Sequence, residues 1–249
     1  MGNSRDSCAR HFPVLFGFDP ASVAGWSLHR YPLTMRKPLA ESNSSEDRDA
    51  AMSASGGLSA GVAPFIEQLA APTPTPAGGS ASAVAAAMAA GLASMVAEIS
   101  RGSKAHLRHE SQLSEAIGRL TSLRKELTAA IDADAESYKA VMKAYKTSRE
   151  SSGGRREINA ALRRATGVPL SVAEMAAEVA GIATTLTPIT GPSMSGDLTT
   201  AIALAKAAFA GSLTNVEINL DLINPDSPEE QSFVRETRKR AEALQFGRK

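Results

Sequence analysis

The chain has 249 residues, with 27 Lys+Arg against 26 Asp+Glu and a formal net charge of +1. That balance excludes the clustered cationic excess that phosphate contacts demand, and an aromatic content of 4% excludes a stacking platform for single-stranded nucleic acid. A single cysteine, Cys8, excludes a disulfide framework, and the histidines at 11, 29, 106 and 109 match no metal-ligand spacing, so no metal site is expected.

Residues 1–51 carry Phe12, Phe16, Phe18, Trp26 and Tyr31, yet no helical or strand period organises them, and the 41–50 stretch is strongly polar. They read as an irregular or disordered extension, or as the product of a mis-assigned start with Met52 as the initiator. Pro13, Gly17, Asp19 and Pro20 break up the apolar run that a secretory signal needs, so the protein is expected in the cytoplasm. A helical domain is expected over 52–249.

From Val62 the period becomes helical. A short helix is predicted over Val62–Leu69, and Pro72, Pro74 and Pro76 then force an extended segment. Gly78-Gly79-Ser80 opens a second helix reaching about Ile99. A third is predicted from Ser103 to Lys146, a fourth from Arg155 to Leu186 with Pro169 interrupting it, and a fifth from Asp197 to Ile223. Asn224-Pro225 stops the fifth, and Ser227-Pro228-Glu229-Glu230 starts the last as a capping box. No stretch alternates with period two for long enough to make a strand. The expected fold is all-α, a bundle of five to six helices.

Residues Gly79–Ala97 carry no charge, and nine of them are alanine. Such a helix is too weakly hydrophobic, and lacks the basic flanks, for a membrane span; no membrane partner is expected, and the stretch reads as a helix buried on all sides of a bundle. The glycine pair at its entrance leaves backbone N–H groups directed outward beside the positive end of the helix dipole, where an anion or carbonyl oxygen is favoured. Gly78, Gly79 and Ser80 are therefore binding candidates, although the spacing alone is better matched by an ordinary helix start.

The third helix has an apolar stripe through Leu113, Ile117, Leu120, Leu127, Ile131, Tyr138, Val141 and Tyr145, and the same face takes in Arg124 and Asp134. A carboxylate on a core stripe needs a partner, a shifted protonation equilibrium or a cavity. Asp134 is thus either an acid/base group or a satisfied buried acceptor, and Asp132 lies on another face of the same turn. On the fifth helix Asn215 falls on a face of small residues, and Asp197 is a candidate N-cap.

Several ordered motifs resemble the cyclodeaminase/cyclohydrolase family. They are Phe65–Ser80, with its Pro-Thr-Pro and Gly-Gly-Ser run; Ser94-Met95-Val96-Ala97; Ile131–Tyr138 with Val141–Lys146; and Asp197 followed eighteen residues later by Asn215-Val216-Glu217-Ile218-Asn219. The likeness spans roughly Val62–Phe246. Two places depart from the family pattern: Ala77-Gly78-Gly79 stands for a triple glycine, and Gly191–Asp197 lacks the family's two Asn and the Ser before the aspartate.

The resemblance implies a helical homodimer that takes a tetrahydrofolate derivative as substrate in a cleft between helices, with no permanently bound cofactor. It implies formimidoyltetrahydrofolate cyclodeamination to 5,10-methenyltetrahydrofolate, or methenyltetrahydrofolate cyclohydrolysis. Catalysis would fall to Asp134 and Asp132, and substrate binding to Gly78, Gly79, Ser80, Lys146, Asp197 and Asn215. A reading from a different class, motivated by the altered 191–197 loop, is a helical folate-binding protein without catalysis.

Overall fold

The computed structural model describes residues 58–147, 154–244 and 246; the expected extension over 1–51 and the Met52 start lie outside them. Six α-helices run in order: α1 Leu58–Ala70, α2 Gly78–Arg101, α3 Glu110–Thr147, α4 Gly154–Leu186, α5 Ser195–Leu222 and α6 Pro228–Ala243. Among the described residues there is no strand.

Alanine on α2 decides how closely the bundle packs. Ala83, Ala86, Ala89, Ala90, Ala93 and Ala97 are wholly buried against Leu113, Leu120, Leu123 and Leu127 of α3, Val172 and Val179 of α4, and Leu198 and Ala205 of α5. Side chains that project only a methyl group let neighbouring helix axes approach, and the leucines facing them fill the remaining space. α2 and α4 each pack along both α3 and α5. By length and composition α2 and the Pro192–Leu222 stretch could cross a membrane, their most apolar 18-residue windows having mean hydropathies of 1.6 and 1.2, but α2 is wrapped by three other helices.

A second core contains Val141 of α3, Ala161, Leu162, Ala165 and Leu170 of α4, Val216 and Leu220 of α5, and Ala241 of α6. No residue of α2 enters it. The bundle therefore continues past the N-terminus of α2, with α2's place between α3 and α5 vacated. This corrects the expected stripe on α3: Val141 turns toward α4 and α5 and is buried, whereas Tyr138 and Tyr145 are each 38% exposed, because no α2 remains to cover them. Arg124, also placed on the stripe by its spacing, is exposed.

Other expectations need correction. The 103–109 stretch is a 3-10 turn over Lys104–His109 rather than the first part of α3. α2 is not buried on all sides, since Met88, Met95 and Ile99 are exposed on one face. Pro169 does not interrupt α4, which runs through it unbroken. Proline cannot donate to the carbonyl four residues back, here that of Ala165, and Asn219 of α5 supplies the missing donor: its Nδ2 gives a 3.1 Å hydrogen bond to Ala165 O. The predicted capping box is present, with Glu230 N–H donating to Ser227 Oγ at 3.3 Å and Ser227 N–H to Glu230 Oε2 at 3.3 Å.

Candidate active site

Ala77 is extended and provides no side-chain cap to α2, so the first-turn N–H groups of Gly78, Gly79 and Ser80 project toward whatever lies beyond. Asp134 lies there. Ser80 Oγ is 3.0 Å from Asp134 Oδ2 and 3.1 Å from the Ile131 carbonyl oxygen, and Ser80 is fully buried. The carboxyl group rests directly on the Gly79 backbone: a Cβ added at Gly79 would sit 2.5 Å from Asp134 Cγ and 2.7 Å from Oδ2. Glycine is required here by lack of space, not by a special backbone angle. A carboxylate at a helix N-terminus also lies where the dipole is positive, which favours negative charge.

The other wall is α5. A Cβ at Gly211 would lie 2.6 Å from Ser82 Oγ, which itself donates to Gly78 O at 2.8 Å. One turn further along, Asn215 Nδ2 lies 3.9 Å from the position of a Gly78 Cβ and donates to Gly211 O at 2.8 Å. Residue numbers rise on α2 as they fall on α5, so the two helices are antiparallel.

Gly78, Gly79, Ser80, Asp134 and Asn215 thus come together at the N-terminus of α2, beyond which α3 and α5 continue without it. Tyr138 and Met142 of α3 and Ile218 and Leu222 of α5 lie exposed in the stretches beyond that point. Asp132 is exposed on another side of α3, beside Arg124, Lys125 and Thr128. Lys146 is exposed near the end of α3, twelve residues past Asp134 and so about 18 Å along the helix. Asp197 is not with the cluster: it precedes Asn215 by eighteen residues, about 27 Å along α5. Nor is it an N-cap, because α5 begins at Ser195 and Asp197 lies in its first turn. Ser82 and the Ile131 carbonyl escaped sequence reasoning. The i, i+4 spacing of Gly78 and Ser82 in a run of small residues is the signal that could have found the first; a main-chain oxygen leaves none.

Among the described residues no group of three His, Cys, Asp or Glu could hold a metal ion. What the site offers is one carboxyl group, a hydroxyl held against it, a carboxamide, and helix N–H groups, with the exposed apolar side chains of Tyr138, Met142, Ile218 and Leu222 further along α3 and α5.

The sequence model described as formiminotransferase-cyclodeaminase matches residues 61–243. The chain belongs to this family. Methenyltetrahydrofolate cyclohydrolase of Methylorubrum extorquens is 31% identical over 184 residues, covering 72% of this chain and 86% of that protein. Formimidoyltransferase-cyclodeaminase of Rattus norvegicus is 29% identical over 75% of this chain, which spans 34% of the rat protein. The crystal structure of formiminotetrahydrofolate cyclodeaminase from Thermotoga maritima superposes with a TM-score of 0.63 at 29% identity, covering 73% of this chain and 89% of that one.

Proposed function

We propose that the chain is a cytoplasmic formimidoyltetrahydrofolate cyclodeaminase, with Asp134 carrying protons between substrate nitrogens. The observation that carries the reading is the Asp134 carboxyl lodged against Gly79 and Ser80 at the opening between α3 and α5. The formimidoyl group enters as an amidinium. N10 attacks its carbon, leaving a protonated N10 and an amino group on one tetrahedral carbon; Asp134 takes the N10 proton and gives it to the amino group, which departs as ammonia. The 5,10-methenyl bridge remains, and the carboxylate ends as it began. Proton transfer by a positioned carboxyl of this kind contributes about 10²–10⁴ in rate.

Asn215 and the N–H groups of Gly78 and Gly79 bind the polar edge of the folate, the apolar residues beyond them take its rings, and Lys146 meets its anionic end. A second reading, methenyltetrahydrofolate cyclohydrolase, is favoured by the Methylorubrum extorquens relative, which matches over most of its length. There Asp134 would activate water and return the proton to the ring nitrogen that leaves. Purified protein given formimidoyltetrahydrofolate, and separately methenyltetrahydrofolate, distinguishes the two by the ultraviolet absorbance of the methenyl bridge. Its formation with ammonia release supports the first reading, accelerated loss alone supports the second, and neither refutes both.

The protein acts as a homodimer in this reading. Support comes from the most apolar 18-residue window of the Pro192–Leu222 stretch, of which only 28% is buried within one chain, and from the exposed Met88, Met95 and Ile99 of α2. Asp197, about 27 Å from Asn215 along α5, takes part only as the residue of a second copy. Mixing inactive Asp134→Asn and Asp197→Ala proteins should then restore activity; a monomer by light scattering at micromolar concentration rejects the dimer.

A further inference from the structure

The Ser80 hydroxyl is within hydrogen-bond distance of two acceptors, Asp134 Oδ2 at 3.0 Å and the Ile131 carbonyl at 3.1 Å, and it is closed off from solvent. A serine hydroxyl has one proton to donate and lone pairs with which to accept. With Asp134 ionised, Ser80 donates to Oδ2, and the Ile131 carbonyl keeps the bond it receives within α3. With a proton on Oδ2, the carboxyl donates to Ser80 Oγ, and the hydroxyl proton turns to the Ile131 carbonyl. With the proton on Oδ1 instead, Oδ2 is a carbonyl oxygen and Ser80 goes on donating to it. In each state the Ser80 hydroxyl and Asp134 Oδ2 stay hydrogen-bonded to one another, and passing between them moves no heavy atom.

A donor-only neighbour, such as a backbone amide or an ammonium, would serve the ionised carboxyl and leave the neutral one worse held. An alanine would serve neither. On its other side the carboxyl is stopped by the Gly79 backbone, so Ser80 and Gly79 together leave it one position.

We propose that Ser80 is a positioning residue for proton transfer: its hydroxyl proton turns between Asp134 and the Ile131 carbonyl, so that the Asp134 carboxyl stays in place through both its charged and its neutral form. The inference rests on the proton-carrying role given to Asp134 above. It differs from the expectation that Ser80 binds substrate, because a positioning hydroxyl acts on turnover rather than on affinity.

The test compares the full-length protein with Ser80→Ala, Asp134→Asn and the double variant, measuring kcat, KM and melting temperature. Alanine is smaller and a better helix former, so the fold is retained. Ser80→Ala should lower kcat about 10–100-fold, the worth of a hydrogen bond to a charged group, with KM unchanged. On the Asp134→Asn background it should lower kcat no further. If Asp134→Asn is inactive while Ser80→Ala keeps its kcat and loses only melting temperature, or raises only KM, this inference fails and the proposed function stands. If Asp134→Asn keeps normal turnover, or the unmodified protein turns over neither substrate, the proposed function fails and this inference with it.

Discussion

At the Gly78 end of the α2–α5 pair two glycines leave no room for a methyl group, since a Gly79 Cβ would collide with the Asp134 carboxyl and a Gly211 Cβ with Ser82 Oγ, whereas a Gly78 Cβ would meet Asn215 Nδ2 only at 3.9 Å. At the Asp197 end the same substitution meets little. A Cβ at Gly191 would find Met194 Cε at 3.6 Å and His106 Nε2 at 4.0 Å, which is ordinary contact, and one at Gly196 would find nothing within 4 Å. The first end is built around one carboxyl group and fixes which residues can surround it. The second is a turn that tolerates change, and the departures from the family pattern at Gly191–Gly196 fall there, whereas the one other departure, Ala77, stands at the N-cap of α2 beside the Asp134 cluster.

The largest effect is expected at Gly79. Gly79→Ala should displace the Asp134 carboxyl by about 1 Å and lower turnover about 10²-fold, the usual cost of such a misplacement. Gly196→Ala, made at the loose end, should leave turnover and melting temperature unchanged. Equal effects of the two substitutions in a kinetic assay would remove the distinction between the ends.

Asn219→Ala separates structure from function on α5. The Ala165 carbonyl, deprived of its helical donor by Pro169, would be left without the Asn219 amide, and stability should fall by about 1–3 kcal/mol in denaturant titration. Turnover of the folded fraction should not change, although Asn219 lies one turn from Asn215. A kinetic defect without a stability defect would move Asn219 into the site.

The smallest effect concerns the start of α6. Hydrogen bonds from Asn159, and then from Ser227, hold the Glu230 carboxyl below its ordinary value of 4.5. A depressed folded-state value stabilises the protein above the unfolded value, and that contribution is lost as pH falls through the folded value. Glu230→Gln should therefore flatten the decline of melting temperature below about pH 4.5 and lower stability modestly at neutral pH. An unchanged acid limb would show that the capping box does not carry this share of the pH dependence.

Much of the helical pattern was legible because period and caps are local. Ser227–Glu230 identified the start of α6, and the alanine run identified α2 as the packing centre. What was not legible depended on where another helix stops. Tyr138 and Tyr145 keep the spacing of a core stripe, yet α2 ends opposite Asp134 and leaves them exposed. Pro169 reads as a break unless a side chain 50 residues later takes over its missing hydrogen bond, as Asn219 does. At the site, Asp134 stood out as a carboxylate on an apolar face, and Gly79 and Ser80 as an uncapped helix entrance. That the three touch is a tertiary fact, whereas the 27 Å separating Asp197 from Asn215 was already implicit in the single helix expected from Asp197 to Ile223, which α5 bears out.

The central claim is that Asp134 transfers protons rather than filling a buried acceptor's place. The direct measurement is methenyl-bridge absorbance over time for Asp134→Asn beside the unmodified protein, with Asp132→Asn as the control on the exposed side of the same turn. Asp134→Asn should lose about 10²–10⁴-fold in turnover with little change in melting temperature, and Asp132→Asn should turn over near-normally. Near-normal turnover of Asp134→Asn together with a lowered melting temperature would contradict it.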